Sequence, residues 1–244
     1  MLMNRVCVVA LAAIGPVGVA SAQVDIVTAS RFLGVGSSFP FGISPFWTET
    51  VETNAVGAFD RTISYVDDPP GILFQEARAS MNSAVGSEVI TLDSEVFGNG
   101  GQFPSGGVII GAIATVRLEV VFDVTLPVPF VLIGENDAMG TDYSTSQGFS
   151  LSFDGGATIA SRFWNGSAGS EGPFSFSGML APGRYRFLAF SSVNSAGGGD
   201  IFNPMFPISP NLATLTATLV VPAPGAVAVL GVGGIMLNRR RRTR

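Results

Sequence analysis

Between Thr115 and Leu126 the chain alternates almost without a break. Val116, Leu118, Val120, Phe122, Val124 and Leu126 fall on one parity, and Thr115, Arg117, Glu119, Asp123 and Thr125 on the other, with Val121 the one apolar exception. Successive side chains of a strand point to opposite faces, so this stretch predicts a half-buried strand and excludes an amphipathic helix. The same period recurs in Phe149, Leu151 and Phe153, in Phe174 and Phe176, in Arg184 to Phe187, and in Ala213, Leu215, Ala217 and Leu219. Shorter apolar runs at 72–74, 108–113 and 131–133 fit strands too. Between them stand turn signals: Asp68-Pro69-Pro70-Gly71, Gly98 to Gly101, Gly106-Gly107, Asp154-Gly155-Gly156, Ala181-Pro182-Gly183 and Gly197 to Gly199. Pro182 presets the first central turn position, and Gly183 supplies the positive φ of a type II turn. Short, evenly spaced strands with Gly/Pro turns predict an all-β fold: a single antiparallel β-sandwich, jelly-roll-like, of about ten strands across 23–218. A β-solenoid would need a fixed repeat, and none is present. Residues 29–48, with Gly34, Gly36, Pro40, Gly42 and Pro45, are expected as irregular coil.

Composition removes whole classes of chemistry. The 244-residue chain has no histidine, and all 13 basic residues are arginine. Histidine-based nucleophile pairs and imidazole metal sites are therefore excluded, as are lysine Schiff bases and a Gly-Lys-Ser phosphate loop. Gly34-Val35-Gly36 lacks the third glycine and the strand-helix setting of a dinucleotide site.

The termini speak to location. Residues 1–22 have the layout of a secretory signal helix: Arg5, an apolar run Val6 to Val19, then Ala20-Ser21-Ala22 before a cleavage point at Ala22/Gln23. Cleavage there would remove Cys7, the one cysteine, and with it any disulfide. At the other end, residues 219–244 form a separate segment. Pro222-Ala223-Pro224-Gly225 precedes an uncharged run, Ala226 to Leu237, and then Arg239, Arg240, Arg241, Arg242 and Arg244. The 12-residue run is short for a bilayer as a helix; counted back to Leu219 it reaches 19 residues, which is marginally enough. Arginine beside an apolar run marks the cytoplasmic side, so both ends point inward and the body between them lies beyond the inner membrane.

A proline-x-proline, a short glycine-rich apolar helix and an arginine cluster in that order resemble the PEP-CTERM sorting signal, over Pro222 to Arg244. The resemblance implies recognition by exosortase, a membrane protease-transpeptidase, and delivery to the cell surface or extracellular polymer. Here alanine, Ala223, stands where that family has glutamate. With both ends removed, seven arginines face 18 carboxylates, a net charge of −11. That sign disfavours nucleic acid and anionic lipid and suits divalent cations or polymers that are neutral or basic.

Candidate sites are few. Glu135, Asn136, Asp137 and Asp142 crowd the residues after the 131–133 run, where a loop of oxygen ligands could hold calcium, although the EF-hand spacing is missing and a solvated acidic loop is the favoured account of them. Asp67-Asp68 precedes two prolines and fits a turn better than a ligand pair. Trp47, Tyr65, Tyr143, Trp164 and Tyr185 could stack on sugar rings or pack in the core. Asn165-Gly166-Ser167 matches a glycosylation pattern without further support. No carboxylate pair stands out as a glycosidase couple. The expected function is a non-enzymatic structural or adhesive protein of the envelope or extracellular matrix, with no cofactor. A carbohydrate-binding module, calcium-assisted in one form, is the alternative, and an envelope hydrolase a third reading.

Overall fold

A computed structural model describes residues 24–38, 46–67, 75–102, 109–139, 145–154, 156–165, 172–195 and 211–221. The signal helix with Ala22 and Gln23, the Pro222-Ala223-Pro224-Gly225 motif, the C-terminal apolar helix and the cluster Arg239 to Arg242 lie outside these residues, as does the 72–74 run.

The described chain is strand throughout: β1 Val24–Ser38, β2 Phe46–Thr53, β3 Gly57–Asp67, β4 Gln75–Val85, β5 Val89–Asn99, β6 Gly101–Gln102, β7 Ile109–Val124, β8 Val128–Met139, β9 Thr145–Phe153, β10 Thr158–Asn165, β11 Gly172–Leu180, β12 Gly183–Asn194 and β13 Asn211–Val220. All pairings are antiparallel and build two sheets. Sheet A runs β10-β9-β12-β7-β1-β2, with β6 beside β7, and sheet B runs β11-β8-β13-β5-β4-β3.

The order encodes a rolled ribbon. β5 pairs with β13, β7 with β12, β8 with β11 and β9 with β10. These rungs alternate between sheets B and A, and rolling brings β9 beside β12 and β8 beside β13. That is an eight-stranded jelly roll. Two hairpins widen it: β1-β2 extends sheet A beyond β7, and β4-β3 extends sheet B beyond β5.

Alternation sets what fills the space between the sheets. Val116, Leu118, Val120 and Phe122 of β7 are 0% exposed, as are Phe149 and Leu151 of β9, Phe187 of β12 and Leu215 of β13. Parity read from the sequence therefore holds through the core, but it fails at two strand ends. Leu126 is exposed past the end of β7, and Phe153 is exposed at the end of β9. Gly183 has the expected positive φ, although at 152° it is more extended than the roughly +80° of a type II turn.

Three expectations are corrected. Thirteen strands form among the described residues, not about ten. The Gly98 to Gly101 turn does not interrupt β5, which runs on to Asn99. Within 29–48, residues 39–45 lie outside the described residues and the rest are strand and not coil: β1 extends to Ser38 and β2 begins at Phe46. Their glycines serve packing. A side chain at Gly34 would collide with the Phe32 and Trp47 rings, and one at Gly36 with the Phe46 carbonyl, where a register shift presses β2 against β1. At the C-terminal boundary, Leu219 and Val221 are buried and the Val221 N–H donates to the Glu88 carbonyl at 2.8 Å, so these residues complete the sandwich.

Candidate functional site

The outer face of sheet A carries the most distinctive chemistry. Register aligns Glu52, Phe32, Arg117, Phe190, Gly148 and Phe163 in one row across β2, β1, β7, β12, β9 and β10. Phe32 meets Trp47 edge-on, ring centroids 5.5 Å apart, and Phe163 lies 6.1 Å from Phe190. Arg117 stands between the pairs, one strand from Phe32 and one from Phe190, so the two ring-bearing strands are about 10 Å apart. Glycine makes room for the rings. A Cβ on Gly148 would sit 2.5 Å from Phe163, and one on Gly34 2.7 Å from Phe32 and 2.9 Å from Trp47. Without those side chains the aromatics settle against the sheet and stay accessible, with Phe163 55% exposed.

Polar rows border the rings. On one side Thr50, Gly34, Thr115, Ser192, Ser146 and Asn165 are in register, with Thr115 bonded to Ser192 and Ser146 donating to Asn165, each at 2.8 Å. On the other side stands an ionic ladder. Glu119 pairs with both Arg117 and Arg186, and Asp123 accepts two bonds from Arg184 at 2.8 and 3.0 Å. The bond from Arg184 holds the Asp123 carboxyl below the usual carboxylate range, and Asp123 in turn raises Arg184. Aromatic carbon flanked by hydroxyls and an amide suits a ligand with both C–H faces and hydroxyl edges.

Sheet B presents the opposite character. Thr62, Arg78, Ser80, Asn82, Asp93 and Glu95 line a shallow depression of about 370 Å³ on its outer face, with no ring among the lining residues.

The structure disperses most of the sites expected from sequence. Glu135 and Asp137 project outward from β8, which continues to Met139, so this is strand and not loop. Asn136 points the other way: it is 1% exposed, and its Nδ2 donates to Gln147 Oε1 at 3.4 Å. Alternation thus keeps the three from one ion, and Asp142 lies outside the described residues. Among those residues no group of three His, Cys, Asp or Glu is arranged to hold a metal. Asp67 accepts the Tyr65 hydroxyl at 3.0 Å, while Asp68 is outside the described residues.

Of the aromatic candidates, Trp164 and Tyr185 are core. Trp164 packs on Phe149 and Phe174, and Tyr185 donates to the Ala181 carbonyl at 2.7 Å. Tyr65 is half-buried between the sheets, and Tyr143 is outside the described residues. Of the four that are described, only Trp47 joins the outer face of sheet A. Phe32, Phe163, Phe190 and Arg117 escaped sequence reasoning. A signal existed in Phe163-Trp164: adjacent strand residues cannot both be core, so one of the two had to face out.

No family model matches the chain, and no curated protein matches it. Three solved structures resemble it weakly. The enzymatically active domain of bacteriophage CBA120 tailspike protein 4 is 13% identical, with a TM-score of 0.29, over 78% of this chain and 19% of that one. The carbohydrate-binding module TmCBM61 in complex with β-1,4-galactotriose is 12% identical, with a TM-score of 0.26, over 60% of this chain and 88% of that one. Infectious bursal disease virus, Gt strain, is 12% identical, with a TM-score of 0.23, over 91% of this chain and 74% of that one. The chain therefore spans about a fifth of the tailspike chain, and at these TM-scores none of the three bears on its activity.

Proposed function

We propose that this protein binds polysaccharide, without catalysis, through the outer face of sheet A, and that it does so beyond the inner membrane as a component of the envelope or extracellular matrix. The carrying observation is the row in which Phe32, Trp47, Phe190 and Phe163 share one flat face with Thr115, Ser192, Ser146 and Asn165. A pyranose offers C–H faces that pack on rings and hydroxyl edges that exchange hydrogen bonds, so the two kinds of row match its two kinds of surface. The six strands keep the rows in register before any ligand arrives, which lowers the entropy lost on binding. Delivery follows the tripartite tail and the N-terminal signal: an exosortase-type enzyme would read Pro222-Ala223-Pro224 and release the sandwich from its transient membrane anchor.

The test is retention on a panel of immobilised polysaccharides. Trp47→Ala and Phe163→Ala should each weaken retention roughly tenfold, by analogy with the about 1–3 kcal/mol that one aromatic side chain contributes when a planar base stacks on it in an open groove. Gly34→Ala, which pushes the rings aside without deleting them, should do the same with the fold intact. Ser80→Ala on sheet B is the control. Equal binding by all four variants would refute the site, and no retention of the wild-type chain on any polysaccharide would refute the reading.

A further inference from the structure

We infer that the sheet A face selects acidic polysaccharides, with Arg117 as the residue that reads the anionic group of a sugar, a ring carboxylate or a sulfate ester. This rests on the proposed glycan-binding role of the same face. Three observations carry it. Arg117 occupies the central position of the aromatic row, in register with Phe32 on one side and Phe190 on the other, so a sugar resting on either pair places its substituents beside the guanidinium. The Arg117 side chain is 49% exposed. It also shares its carboxylate: Glu119 serves both Arg117 and Arg186. A guanidinium presents paired N–H donors that match a planar carboxylate or a sulfate, and charge-assisted bonds of this kind are roughly twice as strong as neutral ones.

The net charge of −11 expected once both ends are removed opposes an acidic ligand only if charge is treated as uniform. Carboxylates gather on the far side: Asp60, Glu76, Asp93, Glu95, Glu135 and Asp137 all project from the outer face of sheet B, where Arg78 is paired with Glu95. Packed sheets lie about 10 Å apart and outward side chains add to that, whereas the screening length at physiological salt is about 8 Å. Charges on the two outer faces are thus largely screened from each other, and the groups beside Arg117 decide. Glu52 at the β2 rim is the carboxylate in the aromatic row, two strands from Arg117.

The experiment measures affinity of the purified full-length chain at physiological salt for three oligosaccharides of equal length: an oligogalacturonate, a neutral oligogalactan and a sulfated oligogalactan. At least one acidic ligand should bind about tenfold more tightly than the neutral one. The difference between the two acidic arms identifies the anion read. Arg117→Gln should abolish that preference and leave affinity for the neutral ligand within about twofold. Glu119→Gln, which frees both arginines, should strengthen acidic binding, and that gain should vanish when Arg117→Gln is added; a gain that survives in the double variant belongs to Arg186 and overturns the inference. Equal affinity for all three ligands, or an acidic preference unchanged in Arg117→Gln, overturns the inference while the glycan-binding reading stands. Loss of every ligand's binding to the wild-type chain overturns both.

Discussion

Among the described residues Arg31 is the largest fully buried side chain, 1% exposed, and none of its hydrogen-bond partners there is a carboxylate. Its guanidinium spends its donors on neutral oxygens. It bonds Ser83 Oγ at 2.8 Å across the sandwich, the Gly57 carbonyl at 2.7 Å and the Ala55 carbonyl, and it lies over the Phe59 ring. Burial lowers its pKa, yet arginine stays charged at any ordinary pH, so the cost of burial is met by satisfying the donors. The position has a purpose: residues 54–56 carry the chain from sheet A to sheet B, and Arg31 ties down both sides of that corner. Arg31→Ala would leave three acceptors unpaired beside a cavity. The expected loss is about 3–5 kcal/mol of unfolding free energy, read by urea denaturation. An unchanged midpoint would show the corner to be held by other contacts. Tyr185 illustrates a smaller effect of the same kind. Burial raises its hydroxyl above the usual phenol value, so its neutral form is the one the fold favours, and stability from this group is present below pH 10.0 and lost above it.

Strands were legible where one face is buried and the other wet. β7, β12 and β13 show this in every second residue, because period-2 alternation is imposed by the pleat itself. β1 and β2 were not legible. Their outward positions hold Gly34 and Gly36, which look like coil in one dimension and make sense only when Trp47 arrives from the neighbouring strand. The acidic stretch of β8 misled for a related reason: Glu135 and Asp137 stand in a solvated row of sheet B, where carboxylates need no loop. Parity itself can be tested on β7. Phe122→Asp places an unpaired carboxylate at a 0% exposed position and should prevent folding at 25 °C, at a cost above about 4 kcal/mol. Asp123→Ser, one residue on, removes an exposed ion pair with Arg184 and should shift the melting temperature little. Circular dichroism on the two variants decides, and similar behaviour would mean the register is wrong.

At the scale of the whole molecule the sandwich is two-sided: aromatic and hydroxyl-rich on sheet A, carboxylate-rich and without rings in the depression on sheet B. One end also differs from the other. Gln147 sends its Nε2 across to the Thr214 carbonyl at 2.7 Å, and buried Asn136, Gln75 and Asn211 each keep an acceptor with no partner among the described residues, at the end where β8 finishes and β13 begins. No helix among the described residues is long and apolar enough to cross a membrane. Leu219 and Val221 are committed to the core, so any membrane span has to be made from residues beyond them. If the tail is processed as proposed, intact-mass measurement on surface-released protein from the native host should show a chain starting at Gln23 and lacking the arginine cluster. Recovery of the full tail in that fraction would refute processing.

Burial periodicity, turn residues and the absence of histidine and lysine are one-dimensional properties. From them the all-β class, the identity of most core positions and the exclusion of whole families of chemistry follow directly, because each depends on a residue and its near neighbours along the chain. The row joining Trp47 and Phe32 to Arg117, Phe190 and Phe163 depends on six strands and on members drawn from positions 32 to 190, which touch only through strand order and register. Those are set by how the ribbon rolls to bury its apolar parity against itself, a global minimum that no local stretch of sequence contains. The same folding step sent Trp164 and Tyr185 inward and left Phe163 on the surface.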